Sequence, residues 1–185
     1  MDPVAMDQRE WRTELITNSA EDTREIGVRL GRLLRGGEVV ALTGDLGSGK
    51  TTFAKGLSQG LGLADTRQVC SPTYVLEHVY AAHLPIHHYD AYRLESPLEF
   101  ADLGFEEHIR LGGRVLIIEW ADRVAEVLPD NRLNIDFEFC GTTPTPSESA
   151  GGGALEESRR IAFSGLRIFW DERLNGLKFP APPGR

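Results

Sequence analysis

The residues Gly44-Asp45-Leu46-Gly47-Ser48-Gly49-Lys50-Thr51 fit the pattern GxxxxGK[ST], and each fixed position has a chemical reason. Glycines let the backbone fold into a ring of N–H donors around phosphate oxygens, and a helix starting at the loop adds its positive end. Lys50 supplies a compact ammonium for β- and γ-phosphates. Thr51 offers a hydroxyl to magnesium, a hard dication that takes oxygen ligands. For this composition the four fixed residues would arise by chance about 0.4% of the time. The chain carries its positive charge mostly on arginine, yet places one of its three lysines here.

Nucleotide hydrolysis also needs carboxylates near the loop. Glu119 follows the apolar run Val115-Leu116-Ile117-Ile118, where a nucleotide enzyme keeps an acid for magnesium or its water shell. Asp90 lies in His87-His88-Tyr89-Asp90-Ala91-Tyr92-Arg93. Each acid is either a site group or a polar strand end in solvent. Ser71-Pro72-Thr73 is a turn by composition, either a plain strand start or a switching loop. His87 and His88 are neighbours on an expected strand and point to opposite faces, so they do not share one ion, and no metal is expected there. Trp120 is either core or an aromatic platform beside a nucleotide.

Several elements must position these groups. Trp11, Thr13 and Leu15 alternate with polar neighbours as in a half-buried strand. Ser19 caps a helix carrying Ile26, Leu30, Leu33 and Leu34, which Gly36-Gly37 should end. Glu38 to Thr43 reads as a buried strand, followed by the glycine loop and a helix with Phe53 and Leu57 on one face. Tyr74 to Tyr80 and Pro85 to Tyr92 read as a hairpin, and Ser96-Pro97-Leu98-Glu99 as a helix start running toward Leu103. Arg114 to Glu119 suits a central strand covered on both faces. Leu133 to Phe139 alternates as an outer strand with one wet face. Arg159 to Ser164 returns as a further strand, and Leu166, Ile168, Phe169, Trp170 and Leu174 suggest an amphipathic tail element.

With 185 residues, 41% of them hydrophobic, the chain suits one domain. The expected layout is a disordered extension over 1–10, the main body over 11–140, a flexible Thr/Pro/Ser/Gly-rich insertion over 141–153, a C-terminal strand and tail over 154–179, and disorder over 180–185. A net charge of −8 argues against a grip on nucleic acid through a broad basic surface. No membrane-length apolar run or signal pattern is visible, so cytoplasmic localisation is the expectation. The two cysteines, Cys70 and Cys140, lie in no metal-binding spacing and read as reduced thiols.

Four motifs in order, Gly44 to Phe53, Ser71-Pro72-Thr73-Tyr74, His88 to Leu94 and Ile118-Glu119-Trp120, together resemble the TsaE family, the bacterial ATPase component of the machinery that makes threonylcarbamoyladenosine beside the tRNA anticodon. The resemblance spans about Trp11 to Phe139. It implies an α/β, P-loop NTPase-like three-layer fold with a central, largely parallel mixed sheet. It further implies ATP and magnesium at the loop, TsaD and TsaB as partners, tRNA reached indirectly through that complex, no membrane, and hydrolysis that is weak alone and stimulated by partners. Residue by residue, Thr51 and Glu119 become magnesium ligands, Lys50, Asp90 and Glu119 catalytic groups, and Ser71 to Thr73 a switch-like loop. Gly44, Asp45, Leu46, Gly47, Ser48, Gly49, Lys50, Thr51 and Thr52 hold nucleotide, with Trp120 beside it and Thr23, in the Ser19 to Thr23 turn, on the adenine side. The insertion and the tail after Gly165 depart from the family pattern. A P-loop small-molecule kinase is the alternative, with Arg93, Arg110, Arg114 and Arg123 as candidates for the arginines such a kinase folds over its acceptor.

Overall fold

The structure is a computed structural model that describes residues 10–144 and 155–174. The expected chain ends, 1–9 and 175–185, and most of the expected insertion, 145–153, lie outside the described residues. In chain order the elements are β1 Glu10–Thr17, α1 Ala20–Gly31, β2 Val39–Gly44, α2 Lys50–Gly60, β3 Glu77–Tyr80, β4 Ile86–Asp90, α3 Pro97–Ala101, α4 Phe105–Leu111, β5 Val115–Glu119, β6 Leu133–Pro144, β7 Leu155–Leu166 and α5 Arg167–Leu174. Short 3-10 helices cover Thr66–Gln68 and Ala121–Val127.

The strands form one sheet in the order β1-β7-β6-β2-β5-β4-β3. Its centre, β6-β2-β5-β4, is parallel, and antiparallel pairings add β3 at one edge and β7 and β1 at the other. Every residue of β5 is buried, as expected of an apolar run covered on both faces. On one face Val40, Leu42, Val115, Ile117, Leu133 and Ile135 meet α1, α2 and α5. On the other, Val39, Ala41, Tyr89, Leu116 and Ile118 meet α3, α4 and the Ala121–Val127 turn. The result is the three-layer α/β arrangement.

Several expectations need correction. The Leu133 strand is not outer, because β7 and β1 continue the sheet beyond it. It also runs on through Gly141 to Pro144, paired with Leu155 to Ser158, so the start of the expected insertion is strand, entered through an irregularity between Phe139 and Gly141. Helix α1 stops at Gly31, before Gly36-Gly37, where the N–H groups of Arg32 and Leu33 bond back to Val28 and Leu30. Tyr74 and Val75 are exposed, and the hairpin strand begins only at Glu77, after Leu76 takes a left-handed φ of 65°. Helix α3 ends at Ala101, short of Leu103. Helix α4 and the Ala121–Val127 turn carry no strong sequence signal and were not expected.

One contact fixes where the glycine-loop helix lies. Helices α1 and α2 cross with backbone against backbone: a Cβ on Gly27 would stand 2.5 Å from Phe53 O, on Gly31 2.4 Å from Leu57 O, on Gly56 2.0 Å from Arg24 O, and on Gly60 2.2 Å from Val28 O. These distances leave no room for a methyl group. Gly56→Ala should therefore lower stability by about 1–3 kcal/mol or more, measured by urea denaturation, despite alanine's higher helix propensity. A neutral or stabilising result would show that the two helices separate easily.

Candidate active site

The loop between β2 and α2 depends on glycine for both conformation and space. Gly44, Gly47 and Gly49 have φ of 129°, 79° and 111°, and a Cβ on Gly44 would lie 2.3 Å from Phe137 O. Gly49 precedes α2, so the helix N-terminus opens at the loop. Lys50, the first residue of α2, is 4% exposed and folds back so that Nζ donates to Gly44 O at 2.6 Å and Asp45 O at 2.8 Å. The Ser48 hydroxyl is buried without a hydrogen-bond partner.

Sheet register delivers the two acids. Glu119 ends β5 beside Leu42 on β2 and Asp90 on β4, so both carboxylates sit at the C-terminal edge of the parallel strands, next to the loop. Glu119 is 2% exposed, and its Oε1 and Oε2 accept from the Thr51 hydroxyl at 3.0 and 2.8 Å. His88 Nε2 lies 2.9 Å from the same Oε1. Asp90 Oδ2 accepts from the Ser71 and Thr73 hydroxyls, the latter at 2.9 Å, and Oδ1 accepts from the Tyr92 N–H at 2.8 Å. The Ser71–Thr73 turn is thereby tied to the acid on β4.

These groups line one cavity of about 310 Å³, with Leu46, Gly47, Gly49, Lys50, Thr51 and Thr52 on the loop side and Ser71, Thr73, Asp90 and Glu119 opposite. Trp120 lines the cavity and, half-buried, also packs against the core on the α3 and α4 side of the sheet. It adopts a left-handed conformation, φ 58° and ψ 41°, and its ring centroid lies 3.9 Å from Lys50 Nζ and 4.9 Å from that of Tyr92. Thr23 is elsewhere. It is fully buried behind the loop, its hydroxyl engaged by Thr17 Oγ1 at 2.9 Å and Ser19 O at 3.0 Å, and it does not line the cavity.

Two further residues are not among the expected site groups. Arg159 on β7 lines the cavity opposite Gly49, 6% exposed, paired with Glu157 and with its Nε unpartnered. It arrives from beyond residues 145–154, so its distance along the chain hides it. His88, which opens the third motif but carries no expected role there, is fully buried against Glu119.

The donor set suits a magnesium–triphosphate. It combines a glycine cradle, a hydroxyl beside a carboxylate, an ammonium held on carbonyls it can leave, and an orphaned buried hydroxyl at the loop. Burial lowers the Lys50 pKa, while Glu119, Asp90, Asp122 and Asp45 oppose the shift. Because the folded-state pKa lies below the unfolded value, the unfolded chain holds this proton to higher pH, and the cost of burying the ammonium is relieved as pH rises through that interval. Lys50→Met should accordingly leave the melting temperature of the nucleotide-free protein equal or higher at neutral pH. A fall would mean that the bonds to Gly44 and Asp45 outweigh the burial.

Comparisons with known proteins converge. The family model described as "Threonylcarbamoyl adenosine biosynthesis protein TsaE" matches residues 17–143. The chain is 44% identical over 122 residues to the tRNA threonylcarbamoyladenosine biosynthesis protein TsaE of Treponema pallidum, covering 66% of this chain and 88% of that one. It is 41% identical over 137 residues to the protein of the same name from Bacillus subtilis, covering 74% and 81%. The crystal structure of Bacillus subtilis YdiB superposes with a TM-score of 0.67 at 28% identity, covering 91% of this chain and 95% of that one. The fold, the ordered motifs and these matches lead to one conclusion: the chain belongs to the TsaE family.

Proposed function

We propose that this protein is a magnesium-dependent ATPase that supports threonylcarbamoyl modification of tRNA adenosine next to the anticodon, acting with TsaD and TsaB. The observation that carries the reading is the convergence of Lys50, Thr51, Glu119 and Asp90 on one cavity behind a glycine loop. The family membership supplies the biological setting. With a net charge of −8 the chain reaches tRNA through its partners. Among the described residues no helix is long and apolar enough to cross a membrane, which fits a cytoplasmic site of action.

In this reading the loop N–H groups hold the phosphates, and Lys50 exchanges the Gly44 and Asp45 carbonyls for β- and γ-phosphate oxygens. Thr51 and Glu119, which are hydrogen-bonded to each other, would hold magnesium. Magnesium supplies neutralisation of the charge on the β- and γ-oxygens. Water attacks the γ-phosphorus, the bond to the β,γ-bridging oxygen breaks, and the proton leaves with phosphate. Asp90 has three donors on its carboxylate and acts by holding Ser71 and Thr73 at the γ-phosphate end. Trp120 and Tyr92 wall the cavity beside the ammonium, excluding water from that side.

A kinase would need arginines over an acceptor. Arg93 lies 5.0 Å from the Tyr74 ring, Arg110 pairs with Glu107, Arg114 bonds Gly112 O and Arg123 bonds Leu94 O; none of the four lines the cavity. Arg159 does line it, but from β7 beside Gly49, and with the family setting we take water as the acceptor.

The test is magnesium-dependent ATP hydrolysis, alone and with purified TsaD–TsaB. We expect weak activity alone, stimulation by the partners, and a fall of about 100-fold or more in Lys50→Ala and Glu119→Ala. ATP binding with no response to partners, together with phosphate transfer to a small acceptor, would establish the kinase instead.

A further inference from the structure

Strand β4 alternates, and only one of its faces belongs to the nucleotide cavity. His88 and Asp90 point to the α2 side, whereas His87 and Tyr89 point to the opposite side, toward α3 and α4. The two adjacent histidines therefore face opposite sides of the sheet. His87 instead meets two residues remote in sequence: Glu77, from the neighbouring antiparallel strand, and His108, from α4. His87 Nδ1 lies 2.7 Å from Glu77 Oε1, and His108 Nδ1 lies 3.8 Å from the same oxygen. The two imidazoles face each other with centroids 3.9 Å apart.

We propose that Glu77, His87 and His108 form a second metal site, for a zinc-class divalent ion, on the face of β4 opposite the nucleotide cavity. One ligand atom from each residue lies within 4.8 Å of the other two. A tetrahedral ion at about 2.0–2.1 Å from each ligand separates ligand atoms by about 3.3–3.4 Å, so the observed 2.7 and 3.8 Å bracket that spacing. Small side-chain rotations close the difference. Two nitrogens and one carboxylate oxygen suit zinc better than magnesium or calcium, which favour all-oxygen sites. The His87 side chain is 8% exposed, while those of Glu77 and His108 are 24% and 23% exposed, which leaves an approach and room for a water as fourth ligand.

One neighbour would give way to the ion: Tyr89 Oη lies 2.8 Å from His108 Nδ1, the nitrogen that would ligate it, so that hydrogen bond would be exchanged for the metal. Such an ion would pin β3 and α4 to the strand that carries His88 and Asp90. Its effect is structural, and it acts from outside the nucleotide cavity.

Untagged full-length protein, stripped with chelator and free of nucleotide, is titrated with cobalt(II) as a visible probe and then with zinc. The site predicts one saturable equivalent with intense four-coordinate d–d bands, displacement by zinc, and a higher melting temperature with metal bound. His108→Gln and Glu77→Gln should each weaken binding about tenfold or more with unchanged circular dichroism, while Cys70→Ser should have no effect. The Cys70 control matters because Cys70 Sγ lies 3.8 Å from His78 Nε2. No saturable binding overturns the proposal. So do bands that persist in both variants, or bands with thiolate charge transfer that vanish in Cys70→Ser, since these place the ion elsewhere.

Discussion

A carboxylate buried to 2% exposure, as Glu119 is, can exist in a folded protein only when its surroundings replace the water it has lost. Here the replacements come from two other elements: the Thr51 hydroxyl on α2 and the His88 ring on β4. Lys50, beside Thr51, adds the nearest opposing charge, and Glu119 is the largest influence holding that ammonium's pKa up against burial. The end of β5 is thus the point where the glycine loop, the helix after it and the neighbouring strand are reconciled. Losing the carboxylate would leave a histidine, a hydroxyl and an ammonium without a common partner.

The parallel centre of the sheet makes this meeting possible. Four strands running the same way end at one edge, so Leu42, Glu119 and Asp90 stand side by side with no loop bridging them. The antiparallel strands have a different task. Strand β7 brings Arg159 against Gly49 at the same cavity, and β3 brings Glu77 to the opposite face of β4. Strand β4 therefore serves two surfaces at once, through the simple alternation of its side chains.

The parts of this arrangement legible in the sequence were those with strong local signals. The glycine loop, the apolar run of β5 and the capped start at Ser96 each announce themselves within a few residues, and Glu119 and Asp90 follow from strand-end logic. Edges of the sheet were harder, because the alternation in Leu133 to Phe139 reads alike whether the strand is outermost or has two more beyond it. Trp120 was ambiguous for a related reason: nothing in its neighbours reveals that its backbone would turn left-handed and swing the ring out over Lys50. Arg159 and the meeting of Glu77, His87 and His108 exist only through long-range pairing, which no local pattern encodes. The glycines of α1 and α2 were visible as residues, but their common purpose emerges only when the helices are placed together.

That seam has a mechanical meaning. Helices separated by side chains can slide, because rotamers adjust between them; helices whose backbones touch at Gly27, Gly31, Gly56 and Gly60 have no such cushion. Helix α2 begins at Lys50, so a shift of the glycine loop would have to carry α1 with it. The outer side of α1 is wet and charged, with Glu21 in solvent and Glu25 paired with Arg29. Loop and outer surface are thus built as one piece.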